Sequence, residues 1–156
     1  VSTAGISKMI KKLGDDKVKF NLALSLHSAN EEKRSKLMPI NEQNSLESLS
    51  DALVYFHEKT GVRITIEYIL FKNFNDEVND AMELTQFTKD FPCKVNIIEY
   101  NTIENGEYEK AGAEKAERFA RFIESKNMIV NIRRSRGRDI NAACGQLAGK
   151  NKAVFT

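Results

Sequence analysis

Cys144 has the most direct route to covalent chemistry in this chain. It lies in Asn141-Ala142-Ala143-Cys144-Gly145-Gln146-Leu147-Ala148-Gly149, where small neighbours leave a thiol approachable. Just upstream, Arg133-Arg134-Ser135-Arg136-Gly137-Arg138 places four guanidinium groups within six positions. Nearby positive charge favours the thiolate, which is the nucleophile. Arginine forks match phosphate geometry two bonds at a time, so a nucleic-acid backbone is a natural target. The competing readings are an inert small cysteine and a solvated basic strip, and no aromatic residues are interleaved to stack single-stranded bases. His27, with Ser25 on the alternate pleat of one strand, reads either as a polar contact to a ligand or as a histidine bonded to a neighbouring loop backbone. Glu67 is either a carboxylate directed into a barrel or a salt-bridged strand residue. His57, beside Phe56 on a helix, and Cys93, after Pro92, read as structural.

Several chemistries are excluded. Two cysteines 51 positions apart make neither a disulfide framework nor a four-ligand metal site. Neither histidine has a partner at metal spacing, so no metal ligand is expected. Glycine-rich phosphate loops are absent, and no Ser-His-Asp order stands out. A length of 156 residues fits one ordinary domain, and 41% hydrophobic with 29% charged residues excludes disorder and fibres. No apolar run approaches the ~18 residues of a membrane span and no signal peptide is present, so a soluble cytoplasmic protein without a membrane partner is expected. The net charge of +2 is unevenly divided: residues 127–156 carry six basic residues against Asp139 alone, and the remainder is net negative. That asymmetry directs the tail toward an anionic partner. Val1 in first place points to a piece of a longer protein or a processed chain.

Positioning these groups falls to an alternation of strands and helices. Ser2 or Thr3 can cap a helix running to about Leu13, with Gly14 as its stop. Residues 18–27 alternate Val18, Phe20, Leu22, Leu24 and Leu26 and predict a strand. Ser28 is the next N-cap candidate, and Asn44 with Glu47 opens a helix that Gly61 ends. A second strand spans 62–70, a helix capped by Asp76 follows, a third strand spans 94–100, and after the last long helix a fourth spans 128–133. Strand–helix repetition implies parallel strands with right-handed crossovers. The fold class expected is α/β: half of a TIM-like barrel, about four parallel strands with alternating helices, over residues 1–133, with a basic tail at 134–156. Chemistry in such a barrel sits at the C-terminal strand ends. An uncovered edge strand would invite pairing with a second copy.

Three stretches carry a family resemblance. They are Ala23-Leu24-Ser25-Leu26-His27 through Arg34-Ser35-Lys36-Leu37-Met38-Pro39-Ile40-Asn41, then Val95-Asn96-Ile97-Ile98-Glu99-Tyr100-Asn101, then residues 133–147 from Arg133 through Cys144 to Leu147. In order and over nearly the whole chain, they resemble the RlmN/Cfr family of radical S-adenosylmethionine (S-adenosyl-L-methionine) RNA methyltransferases. The resemblance implies a truncated radical SAM core whose parent methylates C2 of an adenine in 23S ribosomal RNA, and often an adenine in transfer RNA; C8, as in Cfr, is the alternative. It implies Cys144 as the catalytic cysteine that receives a methyl group, and Ser2, Ser25, Leu26, His27 and Asn101 as contacts to S-adenosylmethionine. The adenine carbon is a poor nucleophile, so the family delivers the methyl carbon as a radical, by covalent catalysis. The family's 4Fe-4S cluster is held by a C-x-x-x-C-x-x-C motif that this chain lacks. The chain by itself is therefore expected to be inactive, its parent an enzyme. A non-catalytic basic RNA-binding α/β module is the alternative from a different class.

Overall fold

The computed structural model describes residues 1–134. The tail from Ser135 onward, including Arg136, Arg138 and Cys144, lies outside the described residues. Five strands run β1 (Ser2–Thr3), β2 (Leu22–Ser25), β3 (Ile64–Leu70), β4 (Cys93–Glu99) and β5 (Ile129–Arg133). They form one parallel sheet in sequential order, β1-β2-β3-β4-β5. Helices α1 (Ser7–Asp15), α2 (Glu31–Leu37), α3 (Leu46–Thr60), α4 (Val78–Phe87) and α5 (Ala113–Glu124) connect them. The expected half-barrel class stands, with five strands where the hydrophobic pattern indicates four.

The two faces of the sheet differ, and this separates a barrel segment from an open doubly wound sheet. Leu22, Leu24, Ile64, Ile66, Tyr68, Val95 and Ile97 form one face and are buried in the main core with Ile10, Leu53, Phe56, Leu84 and Phe119 of the helices. The opposite face carries a polar row in register, Ser25–Glu67–Asn96–Asn131, with Thr65 and Lys94 below it; above it Ile69 and Ile98 are buried in a second apolar cluster with Met38, Phe71 and Tyr100. Doubly wound sheets cover both faces with helices and read as apolar throughout. A sequentially ordered parallel sheet with α1, α3, α4 and α5 packed on one face is the wall of a barrel.

Local chemistry explains the departures from the predicted elements. β1 is only two polar residues; Thr3 Oγ1 accepts from the Gly5 N–H at 3.1 Å and turns the chain instead of capping α1. The strand predicted over 18–27 is a strand only over Leu22–Ser25, and Phe20 before it is left 38% exposed. Asn44 Oδ1 accepts from the Ser7 N–H at 2.9 Å and so serves the start of α1, while Ser45 caps α3. Asn30, not Ser28, caps α2, and Ser28 Oγ accepts from the Asn30 N–H. Glu77 rather than Asp76 is the N-cap of α4, its N–H donating to Asp80. Gly61 ends α3 with φ +70°, as its position requires.

Candidate active site

The C-terminal strand ends bring together most of the predicted binding residues. Ser2 pairs with Ala23, and alternation places Ser2, Ala23 and Ser25 on the polar inner face. Ser2 is exposed and Ser25 half-buried. Asn101 follows β4, half-buried. β3 alone separates β2 from β4, and Ser25 is level in register with Asn96, five residues before Asn101. Leu26 differs from the others: the whole residue is buried in the core, its N–H donating to the Glu67 carbonyl (3.0 Å) and its carbonyl accepting from Arg34 Nε (3.2 Å).

His27 is buried at 3% exposure and adopts φ +59°, an uncommon left-handed conformation for a residue with a side chain. Its Nδ1 accepts from the Ile69 N–H at 3.0 Å, which assigns the proton to Nε2. That Nε2–H is buried and has no partner among the described residues. Burial, with the nearby Arg34 charge second, pushes the His27 pKa down to about 3, so the ring is neutral at physiological pH. The backbone bond of His27 is made to strand β3 and not to a neighbouring loop, and the second nitrogen is left as a donor without a partner among the described residues.

The sequence pattern held no sign of what fixes this segment. Arg34 is completely buried and donates from Nε to the Leu26 carbonyl (3.2 Å), from Nη2 to the Ser25 (3.3 Å) and Ala4 (2.7 Å) carbonyls, and from Nη1 to Asn41 Oδ1 (2.9 Å). Asn75, also fully buried, donates to the carbonyls of His27 (2.6 Å) and Ile69 (2.9 Å) and accepts from the Phe71 N–H (2.7 Å). Three consecutive carbonyls, Ser25 to His27, are thus held by side chains where the strand ladder runs out. Arg34 and Asn41 stand within the family-like stretch, but burial is the signal that matters and single-sequence periodicity does not reveal it.

On the inner face, Glu67 approaches Asn96 Nδ2 through Oε1 (3.4 Å) and Arg133 Nη1 through Oε2 (3.9 Å). Both sequence readings of Glu67 hold: it faces the barrel interior and it is charge-paired. A cleft of about 270 Å³ opens at the β4 and β5 ends where α5 meets the sheet, among Leu70, Ile97, Tyr100, Ala113, Ala116 and Ile132. A larger cavity of about 570 Å³ lies at the opposite, N-terminal strand ends, near Cys93, Arg63 and Lys126. Barrel chemistry belongs to the C-terminal ends, so size alone misplaces the site. Burial raises the Cys93 thiol to about 11, which fits its reading as inert. His57 Nδ1 lies 2.9 Å from the Val62 carbonyl, a structural contact.

The described residues include no group of three His, Cys, Asp or Glu side chains able to hold a metal, so they do not fit an iron–sulfur cluster. They do fit a polar organic ligand: serine side chains on an open face, an orphaned imidazole N–H and a rigid strand end. No helix among them is long and apolar enough to cross a membrane.

No family model matches the chain. Curated relatives do. A probable dual-specificity RNA methyltransferase RlmN of Cytophaga hutchinsonii is 56% identical over 150 residues, covering 96% of this chain and 41% of the relative. One of the same description from Christiangramia forsetii is 51% identical over 97% of the chain and 43% of its own length. The crystal structure of a radical SAM methyltransferase from Sphaerobacter thermophilus superposes with a TM-score of 0.87 at 34% identity, over 94% of this chain and 43% of that one. The chain therefore spans less than half the length of the relatives it matches.

Proposed function

Since the chain belongs to the RlmN-type family of radical SAM methyltransferases, we propose that its full-length protein methylates adenine in RNA at C2, with 23S ribosomal RNA and transfer RNA as substrates. The observation carrying this reading is the 56% identity along almost the whole chain to a relative described as a dual-specificity RNA methyltransferase. S-adenosylmethionine supplies the transferred carbon. Ser2, the Ser25-Leu26-His27 segment and Asn101 would bind it across the β1, β2 and β4 ends. His27 would offer its Nε2–H as a fixed neutral donor and cannot shuttle protons near neutral pH. Cys144 would carry the methyl group to the base, and the tail arginines would engage the RNA backbone. The 4Fe-4S cluster of the family takes no ligand from the described residues.

The test is Cys144→Ala in the full-length protein. We expect adenine methylation to disappear while RNA binding persists and weakens steeply with salt, as phosphate contacts do. Normal methylation by this variant would refute the role of Cys144. Loss of RNA binding alongside methylation would instead make the tail a binding element.

A further inference from the structure

Arg34 combines features that stability alone does not require. Its guanidinium is fully buried, yet no carboxylate among the described residues stands within ion-pair reach of it. The nearest acid, Glu31, acts through Asn41, whose Nδ2 donates to Glu31 Oε2 at 2.9 Å, to the Glu31 carbonyl at 3.2 Å and to Ser35 Oγ at 2.9 Å. Glu31 is in turn anchored by accepting from the Leu46 N–H through Oε1 at 2.5 Å. A buried charge held mainly by neutral carbonyls is costly, and an apolar side chain of similar volume commonly serves stability as well.

The backbone is shaped around this group. Gly5 has φ +105°, and a Cβ there would come within 3.0 Å of Arg34 Nη2. Only glycine lets the chain after β1 approach so closely in that conformation. One rigid fork thus fixes the carbonyls of Ala4, Ser25 and Leu26, which belong to the segments following β1 and β2. Ser2 and the Ser25–His27 segment lie on those same strands.

We propose that Arg34 is a positioning residue that sets the spacing of the β1 and β2 ends, and thereby the grip of the full-length enzyme on S-adenosylmethionine. This rests on the function proposed above. It assigns Arg34 a role through the residues it holds, without contact to the ligand. Lysine keeps the charge but cannot reproduce four directed bonds from a planar fork.

The experiment uses the full-length protein purified without oxygen, comparing wild type, Arg34→Lys, Asn41→Ser and the exposed control Lys36→Met. Equilibrium dialysis measures S-adenosylmethionine binding, thermal melting reports folding, and hydrogen exchange follows the Leu26 and His27 amides. For Arg34→Lys we expect at least a tenfold rise in Kd, faster exchange at both amides and kcat at saturating cofactor within a fewfold of wild type. Asn41→Ser, which loosens one arm of the fork, should raise Kd two- to fivefold, and Lys36→Met should leave it unchanged. Unchanged Kd in folded Arg34→Lys, even with a lower melting temperature, overturns the proposal and leaves Arg34 a stabiliser. If Arg34→Lys does not fold, unchanged Kd in Asn41→Ser overturns it equally. Wild type that binds no S-adenosylmethionine defeats the functional reading itself, a result visible before any variant is compared.

Discussion

A neutral buried histidine makes folding sensitive to acid, and His27 shows why. Its native pKa of about 3 lies below the ordinary value of 6.5, so between those pH values the unfolded chain binds a proton that the native ring does not. Stability is fully present above pH 6.5 and declines as pH falls toward 3, by about 2 kcal/mol between pH 7.5 and pH 5. His27→Asn keeps an acceptor for the Ile69 N–H, tolerates the left-handed backbone and does not titrate. Urea titrations at the two pH values should show that the variant has lost this part of the pH dependence; an undiminished slope would assign it elsewhere. The residue types themselves were legible, Ser25 and His27 as polar groups at a strand end and Glu67 as a carboxylate within a strand. Their partners Arg34, Asn75 and Ile69 were not, because each bond joins positions that only the fold brings near.

Helix boundaries show a similar division. Gly61 was legible as the end of α3, since a glycine after the last apolar position meets a purely local demand for positive φ. Asn44 was legible as a capping residue, but the helix it caps was not. It stands one residue from the cap of α3, yet its oxygen serves the Ser7 N–H, 37 positions away. Asn44→Ala should therefore loosen the start of α1, at a cost of about 1 kcal/mol, and leave α3 intact. Hydrogen exchange that quickens at the α3 start instead would show that the contact with Ser7 carries no weight. Strand periodicity needs several residues to declare itself, and the two residues of β1 are too few to show it.

At the scale of the molecule, the sheet has one apolar face, one mixed face and two end strands. Among the described residues β1 and β5 each have a single neighbour, and β5 alternates exposed and half-buried positions along its length. Exposed parallel edges favour further pairing. The 156-residue chain alone should accordingly associate as its concentration rises, through β5 or β1, and light scattering is the measurement. A clean monomer at high concentration would show that the edges are protected by other means. Exposed Ile129 on the inner side, 47% accessible, adds apolar surface to that edge.

The order of strands and helices, the basic charge of the tail and the family-like stretches were all present in the amino-acid sequence, because periodicity, charge and local turn chemistry are short-range properties. The tertiary structure decided which face of the sheet stays polar, which tautomer His27 holds and which side chains grip the strand ends. Those depend on contacts between residues far apart in the chain, Arg34 with Ala4 and His27 with Ile69 and Asn75, whose energies exist only once the strands lie side by side.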